Sequence, residues 1–586
     1  MVKKFFITML GTIAGFWISL ALIFIIGIGV VGAIIASGTS EPTQVSKKSI
    51  LYLDLSGEII ERTESGDLWQ ILRSGIPDGE TYIDIINSVR LAKNDSKIEG
   101  IYINAAGSAA GFATREEIVD ALRDFKESGK WIYAYSDGYS QGDYLLATVA
   151  DSVFVNPVGG VDVHGVASQT PFFTKFLEKI GVKMTIVRVG TYKSAVEPFM
   201  TTEMSAASRE QTQVMLDSLW AYYVGVVSHD RRVEASTVNQ WADSMISMWD
   251  KKRLEASGAV SAQRYRRNVE SLLRKKTDKD NDEGLALVTP SEYMMSQTEY
   301  SADRKHIAVL FATGDIVDSG EGGIVGDVMT PEIISLADND NVEALVLRVN
   351  SGGGSGFASE QIWEALEYFK SKGKPFYVSM GDYAASGGYY ISCGADRIFA
   401  DHTTLTGSIG VFGMIPNFSG LVTDKLGITF STVETNPNAS FPSPFTPMTA
   451  GQEAALQGSV ENFYDLFTSR VAAGRGMTQD DVKKIAEGRV WVGGDAKRLG
   501  LIDEFGGLTE TIEAIAKKAD LEAEHVVYYP RVKDKLLLTL MASAKKNISV
   551  GSTTFDEQAI TVLRALDRLS SQNPIQARMP ELVIRP

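Results

Sequence analysis

With 586 residues the chain is too long for one hydrophobic core and calls for two or three domains. Its 44% apolar content is that of an ordinary globular protein, while a net charge of −16 excludes the basic surplus that nucleic-acid binding requires. The single cysteine, Cys393, excludes an intramolecular disulfide and reads as a core residue inside a helix.

Lys3 and Lys4 precede an uncharged run from Phe5 to Ala36, long enough for a tilted membrane crossing at about 20 residues per span. That run exceeds the roughly 7–15-residue core of a cleaved signal peptide. The spacing therefore predicts an N-terminal transmembrane anchor over residues 1–40, with a cytoplasmic N-terminus and the remainder outside the cytoplasm. Cleavage near Ala36-Ser37-Gly38 is the alternative. A polar tether from Thr39 to Lys47 leads into the folded part.

The rest of the chain repeats itself at a spacing of about 245 residues. Ile50-Leu51-Tyr52-Leu53-Asp54-Leu55-Ser56-Gly57-Glu58-Ile59 echoes Ile307-Ala308-Val309-Leu310-Phe311-Ala312-Thr313-Gly314-Asp315-Ile316. Gly111-Phe112-Ala113 echoes Gly356-Phe357-Ala358, Lys179-Ile180-Gly181 echoes Lys425-Leu426-Gly427, and Pro198-Phe199 echoes Pro444-Phe445. Both halves alternate β-rich runs with helical-period segments, as βαβ units do. The expected organisation is two homologous α/β domains, 48–300 and 301–550, followed by a tail over 551–586 that is flexible from Asn573 onward. The charged stretch Arg274 to Glu283 reads either as the surface linker between the domains or as a solvated helix end.

In the first half the run Gly190-Thr191-Tyr192-Lys193-Ser194 carries one lysine among apolar neighbours, with no other charge between Arg188 and Glu197. In the second half, Val346 to Gly410 reads as strand, glycine turn (Gly352-Gly353-Gly354), helix, strand, then a second small-residue turn that presents Ser386 where the next helix begins. Backbone N–H groups at one turn and a hydroxyl at the other are the minimum equipment for acyl transfer. Aligning the halves puts Gln141 opposite Ser386 and Ala439 opposite Lys193. One copy holds a candidate nucleophile and the other a candidate base. Burial can lower a lysine pKa far enough to populate the neutral amine. The competing base is His402, with Asp401 or Asp382 as its acid. Thr406-Gly407-Ser408-Ile409-Gly410-Val411 reads as a strand edge, with Gly407, Ser408 and Ile409 as candidate groove residues, or else as a sheet corner. No Gly-Lys-Ser/Thr follows the glycine turn, so it is not a phosphate loop.

Three segments carry a resemblance. They are Arg348-Val349-Asn350-Ser351-Gly352-Gly353-Gly354-Ser355, Ala384-Ala385-Ser386-Gly387-Gly388-Tyr389 and Leu405-Thr406-Gly407-Ser408-Ile409-Gly410-Val411. With Gly190 to Phe199 and Gly488-Arg489-Val490-Trp491, they resemble the long-form signal peptide peptidase A (protease IV) family over essentially the whole chain. The resemblance implies two crotonase-like (Clp protease-like) domains and a serine endopeptidase with a Ser-Lys dyad, Ser386 as nucleophile and Lys193 as base. It implies an oxyanion hole from Gly387 and a glycine of the Gly353-Gly354 pair. It also implies remnant signal peptides as substrates, a homotetramer, and a bacterial inner-membrane location with the catalytic part periplasmic, without metal or other cofactor. The family has proline where this chain has Gly352, which loosens the turn. Two other readings are an acyl-CoA enzyme of the same fold, disfavoured outside the cytosol, and a non-catalytic membrane scaffold.

Overall fold

Short runs of β-branched and aromatic residues, each followed by an amphipathic helix, build two parallel sheets in this computed structural model. It describes residues 45–62, 80–280, 283–297, 300–320, 322–531, 575–579 and 584–585. The expected transmembrane helix lies outside these residues, and among those described no helix is long and apolar enough to cross a membrane. The first-half sheet has the order Ala262–Gln263, Ser152–Val155, Trp131–Ser136, Ile98–Asn104, Ser49–Asp54, Leu287–Val288, every pair parallel. The second-half sheet has the order Val490–Val492, Leu405–Gly407, Phe376–Ala385, Val342–Ser351, His306–Thr313, Val526–Tyr529, antiparallel only at its Val490–Val492 edge. Helices correspond as well: Phe112–Lys126 to Gly356–Ser371, Gln141–Ala147 to Gly387–Ser392, and Ala206–Arg231 to Ala450–Arg475. The strand Val342–Ser351 is buried along almost its whole length because helices cover both faces of a parallel sheet.

Of the charged stretch Arg274 to Glu283, Arg274 to Lys276 close the helix Arg266–Lys276 and Thr277 caps it, so the stretch begins as a helix end inside the first half. Beyond it Leu287–Val288 returns to pair with Ser49–Asp54, and Tyr293 packs into the first-half core with its hydroxyl 2.9 Å from Asp95. The halves share interior. Ile307, Val309, Phe311 and Val346 of the second sheet belong to the same buried cluster as Leu51, Leu53 and Ile103 of the first.

A third sheet joins them, in the order Ile324–Val325, Ile316–Val317, Gly353–Ser355, Ile575–Arg578, Val411–Asn417, Lys183–Val189. Its last two strands come from different halves and pair antiparallel from Val189 opposite Val411 to Lys183 opposite Asn417. The C-terminal segment corrects an expectation. Ile575–Arg578 is a strand rather than part of a free tail, because the edges of Gly353–Ser355 and Val411–Asn417 offer it backbone partners on both sides.

Candidate active site

The second small-residue turn ends the Phe376–Ala385 strand and starts the Gly387–Ser392 helix, with Ser386 at the joint. Ser386 has φ 57° and ψ −114°, a conformation that a side-chain-bearing residue holds only when its surroundings enforce it. Two backbone bonds do so: Ser386 N–H donates to the Gly407 carbonyl (2.8 Å), and Tyr390 N–H donates to the Ser386 carbonyl (2.8 Å). Ser386 is fully buried.

Lys193 reaches this serine from the other half. The Lys183–Val189 strand runs along Val411–Asn417, and the turn after it, opened by Gly190 at φ 114°, delivers the lysine. The turn is clamped onto the second half: Tyr192 N–H donates to the Glu487 carbonyl (2.8 Å) and Thr191 N–H to the Glu487 carboxylate (2.9 Å). Gly488 and Gly410 leave room for the lysine stem. A Cβ on Gly488 would stand 2.7 Å from Lys193 Cβ, and one on Gly410 3.3 Å from Lys193 Cδ. Lys193 Nζ ends 2.8 Å from Ser386 Oγ, 3.0 Å from the Ser408 carbonyl oxygen and 3.1 Å from Ser408 Oγ. Lys193 is 0% exposed, and burial holds its pKa well below the usual lysine value, with no carboxylate to counter it.

Those three contacts suit a neutral amine, which has two hydrogens and one lone pair. In that state the two hydrogens can go to the Ser408 carbonyl and hydroxyl oxygens, which leaves the lone pair to accept from the Ser386 hydroxyl. Ser408 is free to accept because its own hydroxyl can donate to the Gly488 carbonyl, 3.3 Å away.

The glycine turn lies beside Ser386. Gly353 is at φ 100°, and a Cβ there would meet the Gly387 nitrogen at 2.7 Å, so only glycine lets the two turns approach this closely. The Gly353 N–H is taken by Ser351 Oγ (3.1 Å), which leaves Gly354 as the donor of the pair. A Cβ on Gly387 would stand 3.1 Å from the Gly354 nitrogen, so the two turns lie against each other. Gly352 is unconstrained; the nearest atoms to a Cβ there are those of Met579 at 4.0 Å.

The other candidates fall elsewhere. His402 Nδ1 is 2.7 Å from the Glu116 carboxylate and its ring stacks on Phe505, while Asp382 accepts from Thr114 N–H (3.0 Å) and hydroxyl (2.7 Å). Neither is a partner of Ser386 or Lys193, nor is Asp401, whose pKa burial holds well above the usual carboxyl range. The three groove candidates lie in the interior. Gly407 lies beneath Ser386, Ser408 holds the lysine, and Ile409 is fully buried core. The chain turns at Ser408 (φ 48°) and continues as the strand Val411–Asn417. Ser408 and Gly488 were the residues that sequence reasoning missed in their actual roles; the Gly488-Arg489-Val490-Trp491 motif was the available signal.

The first half is closed at the equivalent place. Gln141 Oε1 accepts the N–H groups of His164 (2.8 Å) and Gly165 (3.0 Å), and its Nε2 donates to the Gly165 carbonyl (3.0 Å). The N–H groups of Gly107 and Ser108 both donate to the Asp143 carboxylate, each at 2.8 Å. That half therefore has an amide in place of the Ser386 hydroxyl, the neighbouring Ser140 hydroxyl donates to the Asp143 carboxylate (2.7 Å), and its turn amides are already occupied.

The family described as Peptidase family S49 matches residues 124–278 and 368–522, one span in each half. Protease 4 of Haemophilus influenzae is 33% identical over 537 residues, covering 87% of this chain and 86% of that protein. Protease 4 of Salmonella typhi is 33% identical over 591 residues, covering 96% and 93%. The chloroplastic Serine protease SPPA of Arabidopsis thaliana is 26% identical over 559 residues, covering 92% and 79%. Among solved structures, a mutant ClpP1 of Listeria monocytogenes matches with a TM-score of 0.24 at 13% identity, over 35% of this chain and 93% of that one.

Proposed function

The chain belongs to peptidase family S49 and is a serine protease, and from that premise we propose that Ser386 is its nucleophile and neutral Lys193 its general base. The observation that carries the reading is the 2.8 Å approach of a fully buried lysine, free of any carboxylate partner, to Ser386, held at φ 57° at a strand–helix joint. Lys193 takes the Ser386 proton as Oγ attacks the peptide carbonyl carbon. The tetrahedral oxyanion is held by the N–H groups of Gly354 and Gly387, each worth roughly 3 kcal/mol of barrier. Lys193 then passes the proton to the leaving amine, and water, activated by the same amine, hydrolyses the ester. The two halves act as one crotonase-like unit, so the dyad forms within a single chain.

The substrates we propose are extended peptides with small or apolar side chains, bound as a strand between Gly353–Ser355 and Val411–Asn417, with remnant signal peptides as the natural class. The lysine-flanked apolar run from Phe5 to Ala36 supports anchoring in a bacterial inner membrane with this domain pair on the periplasmic side, and the assembly is a homotetramer on the same reading. Labelling with a fluorophosphonate probe tests the dyad. Wild type should label, and Ser386→Ala and Lys193→Met should not. Labelling that persists in Lys193→Met would transfer the base role to another group.

Gly488→Ala offers a finer test of positioning. Its Cβ would intrude on Lys193 at 2.7 Å, at a glycine with φ 75°, so the amine must shift. A displacement of about 1 Å at a reacting group costs on the order of 10²-fold in rate. The expected result is a fall of that size in kcat with KM little changed.

A further inference from the structure

One buried amide fastens the lysine turn to the half that carries the serine. Gln211 stands on the Ala206–Arg231 helix and is 6% exposed. Its Nε2 donates to the Tyr192 carbonyl (3.1 Å) and to Ser194 Oγ (3.0 Å), on the residues either side of Lys193. Its Oε1 accepts the Val490 N–H (3.2 Å). Val490 lies opposite Gly407, whose carbonyl holds the Ser386 N–H. From this chain of contacts we propose that Gln211 is a positioning residue, which holds Lys193 at hydrogen-bonding distance from Ser386 through the two neighbours of the lysine. The proposal rests on the reading of Lys193 as the base given above.

A primary amide carries two hydrogens and one acceptor oxygen, and here both hydrogens and the oxygen are engaged. The orientation is forced, because the Val490 N–H can only donate and the Tyr192 carbonyl can only accept. A flipped amide would set donor against donor at one place and acceptor against acceptor at the other. The strand it grips also shapes the lysine channel. Gly488, two residues before Val490, makes room for the lysine stem, and its carbonyl lies 3.3 Å from the Ser408 hydroxyl that approaches Nζ.

The two halves supply an internal comparison. Ser205 caps the helix Ala206–Arg231, and Thr449 caps its counterpart Ala450–Arg475. The sixth residue past each cap is Gln211 in one half and Ala455, which is exposed, in the other. So the half with the lysine has the amide, and the half with Ala439 opposite the lysine has alanine at both places. An amide that merely stabilised its helix has no reason to follow the lysine. The other clamps on the turn are more exposed: Thr191 on Glu487, and Tyr192 stacked on Arg489 at 4.7 Å, which pairs with Glu210 at 3.1 Å. Arg188 donates to the Lys193 carbonyl (3.2 Å) and lies 3.8 Å from Glu197. None of these charged groups is a partner of Nζ, whose contacts are Ser386 and Ser408.

Steady-state hydrolysis of a fluorogenic peptide with alanines on its acyl side, fluorophosphonate labelling and denaturant unfolding test the proposal. They are applied to full-length Gln211→Leu, Gln211→Glu and Gln141→Leu beside wild type and Lys193→Met. Gln141 is the matched control, a fully buried amide with three backbone bonds in the closed half. Gln211→Leu should lose on the order of 10²-fold in kcat and in labelling rate with KM little changed, as for a reacting group displaced by about 1 Å. In Gln211→Glu the carboxylate has no hydrogen for Tyr192, and its charge beside the turn favours the ammonium form of Lys193. The acid limb of its pH–rate profile should therefore move to higher pH. Gln141→Leu should unfold at lower denaturant and keep its kcat where it is folded. Wild-type kcat in Gln211→Leu, or a loss matched by Gln141→Leu, makes Gln211 a structural residue and overturns the proposal while the dyad stands. If Gln211→Leu does not fold, Gln211→Glu decides, and a limb and kcat equal to wild type overturn the proposal. Labelling of Lys193→Met at the wild-type rate overturns the dyad, and this proposal with it.

Discussion

Lys193→Met is expected to lower kcat by about 10⁴-fold or more, with KM for peptides changed little, because the serine then has no group to take its proton. Wild-type pH dependence carries the same assignment. The lysine must be neutral to act as base, so activity is present above its folded-state pKa and is lost as pH falls through that value. Burial places this limb well below the usual lysine value. The sign for stability is separate. Between the lowered pKa and 10.5 the unfolded chain binds the proton that the folded chain has given up, so stability rises with pH across that window. At neutral pH the wild type therefore carries a cost for hiding an amine, and methionine, of similar length and apolar, removes it. The variant should melt no earlier than wild type while failing to turn over substrate. A pH–rate profile with no acid limb, or appreciable turnover by the variant, would defeat the assignment of Lys193 as base.

The features legible in the sequence were the local ones. Gly353-Gly354 and Ser386-Gly387 announce themselves because a turn that brings backbone to backbone admits only small residues, and that constraint is written at the turn itself. The duplication was legible because each half repeats its strand and helix periods in the same order. Pairing Lys193 with Ser386 needed more, namely that each half had lost what the other kept. Contacts made between distant segments of low periodicity were not legible. Ser408 reads equally as a strand edge or a sheet corner from its sequence, and φ 48° turns the chain there and aims its carbonyl and hydroxyl at the lysine, a contact that no local pattern announces. Ile575–Arg578 looked like a tail because four residues carry no usable pattern, and its partners, Gly353–Ser355 and Phe412-Gly413, lie far away in sequence. The seam between the halves is silent for a related reason: Glu61, Glu117 and Arg348 stand far apart in sequence and meet only when the halves fold together.

That seam supports the second large effect. Arg348, fully buried on the second-half strand Val342–Ser351, meets two carboxylates of the first half. Its Nε is 3.0 Å from Glu61 Oε2, and its Nη2 is 3.2 Å from Glu61 Oε1 and 2.7 Å from Glu117 Oε1. The Tyr82 ring stacks beneath the guanidinium at 4.7 Å, and Glu117 also accepts the Leu508 N–H at 2.9 Å. Removing the cation leaves two carboxylates facing each other out of water, so Arg348→Ala should destabilise the chain by about 3–5 kcal/mol. Burial already raises the pKa of Glu61, with Arg348 opposing that shift. Without the arginine Glu61 protonates more readily, so the deficit should be smaller near pH 5 than near pH 8. Replacing the three charges together by Met at 348 and Gln at 61 and 117 should recover much of the loss, since an uncharged cluster has no desolvation penalty to offset. Denaturant unfolding of the two variants at both pH values checks this. Because the lysine belongs to one half and the serine to the other, peptide hydrolysis by Arg348→Ala should fail at denaturant concentrations that leave the wild type active. Equal unfolding midpoints for Arg348→Ala and wild type would mean that the ion cluster is not what locks the halves, and that the Lys183–Val189 ladder on Val411–Asn417 holds Lys193 against Ser386 without it.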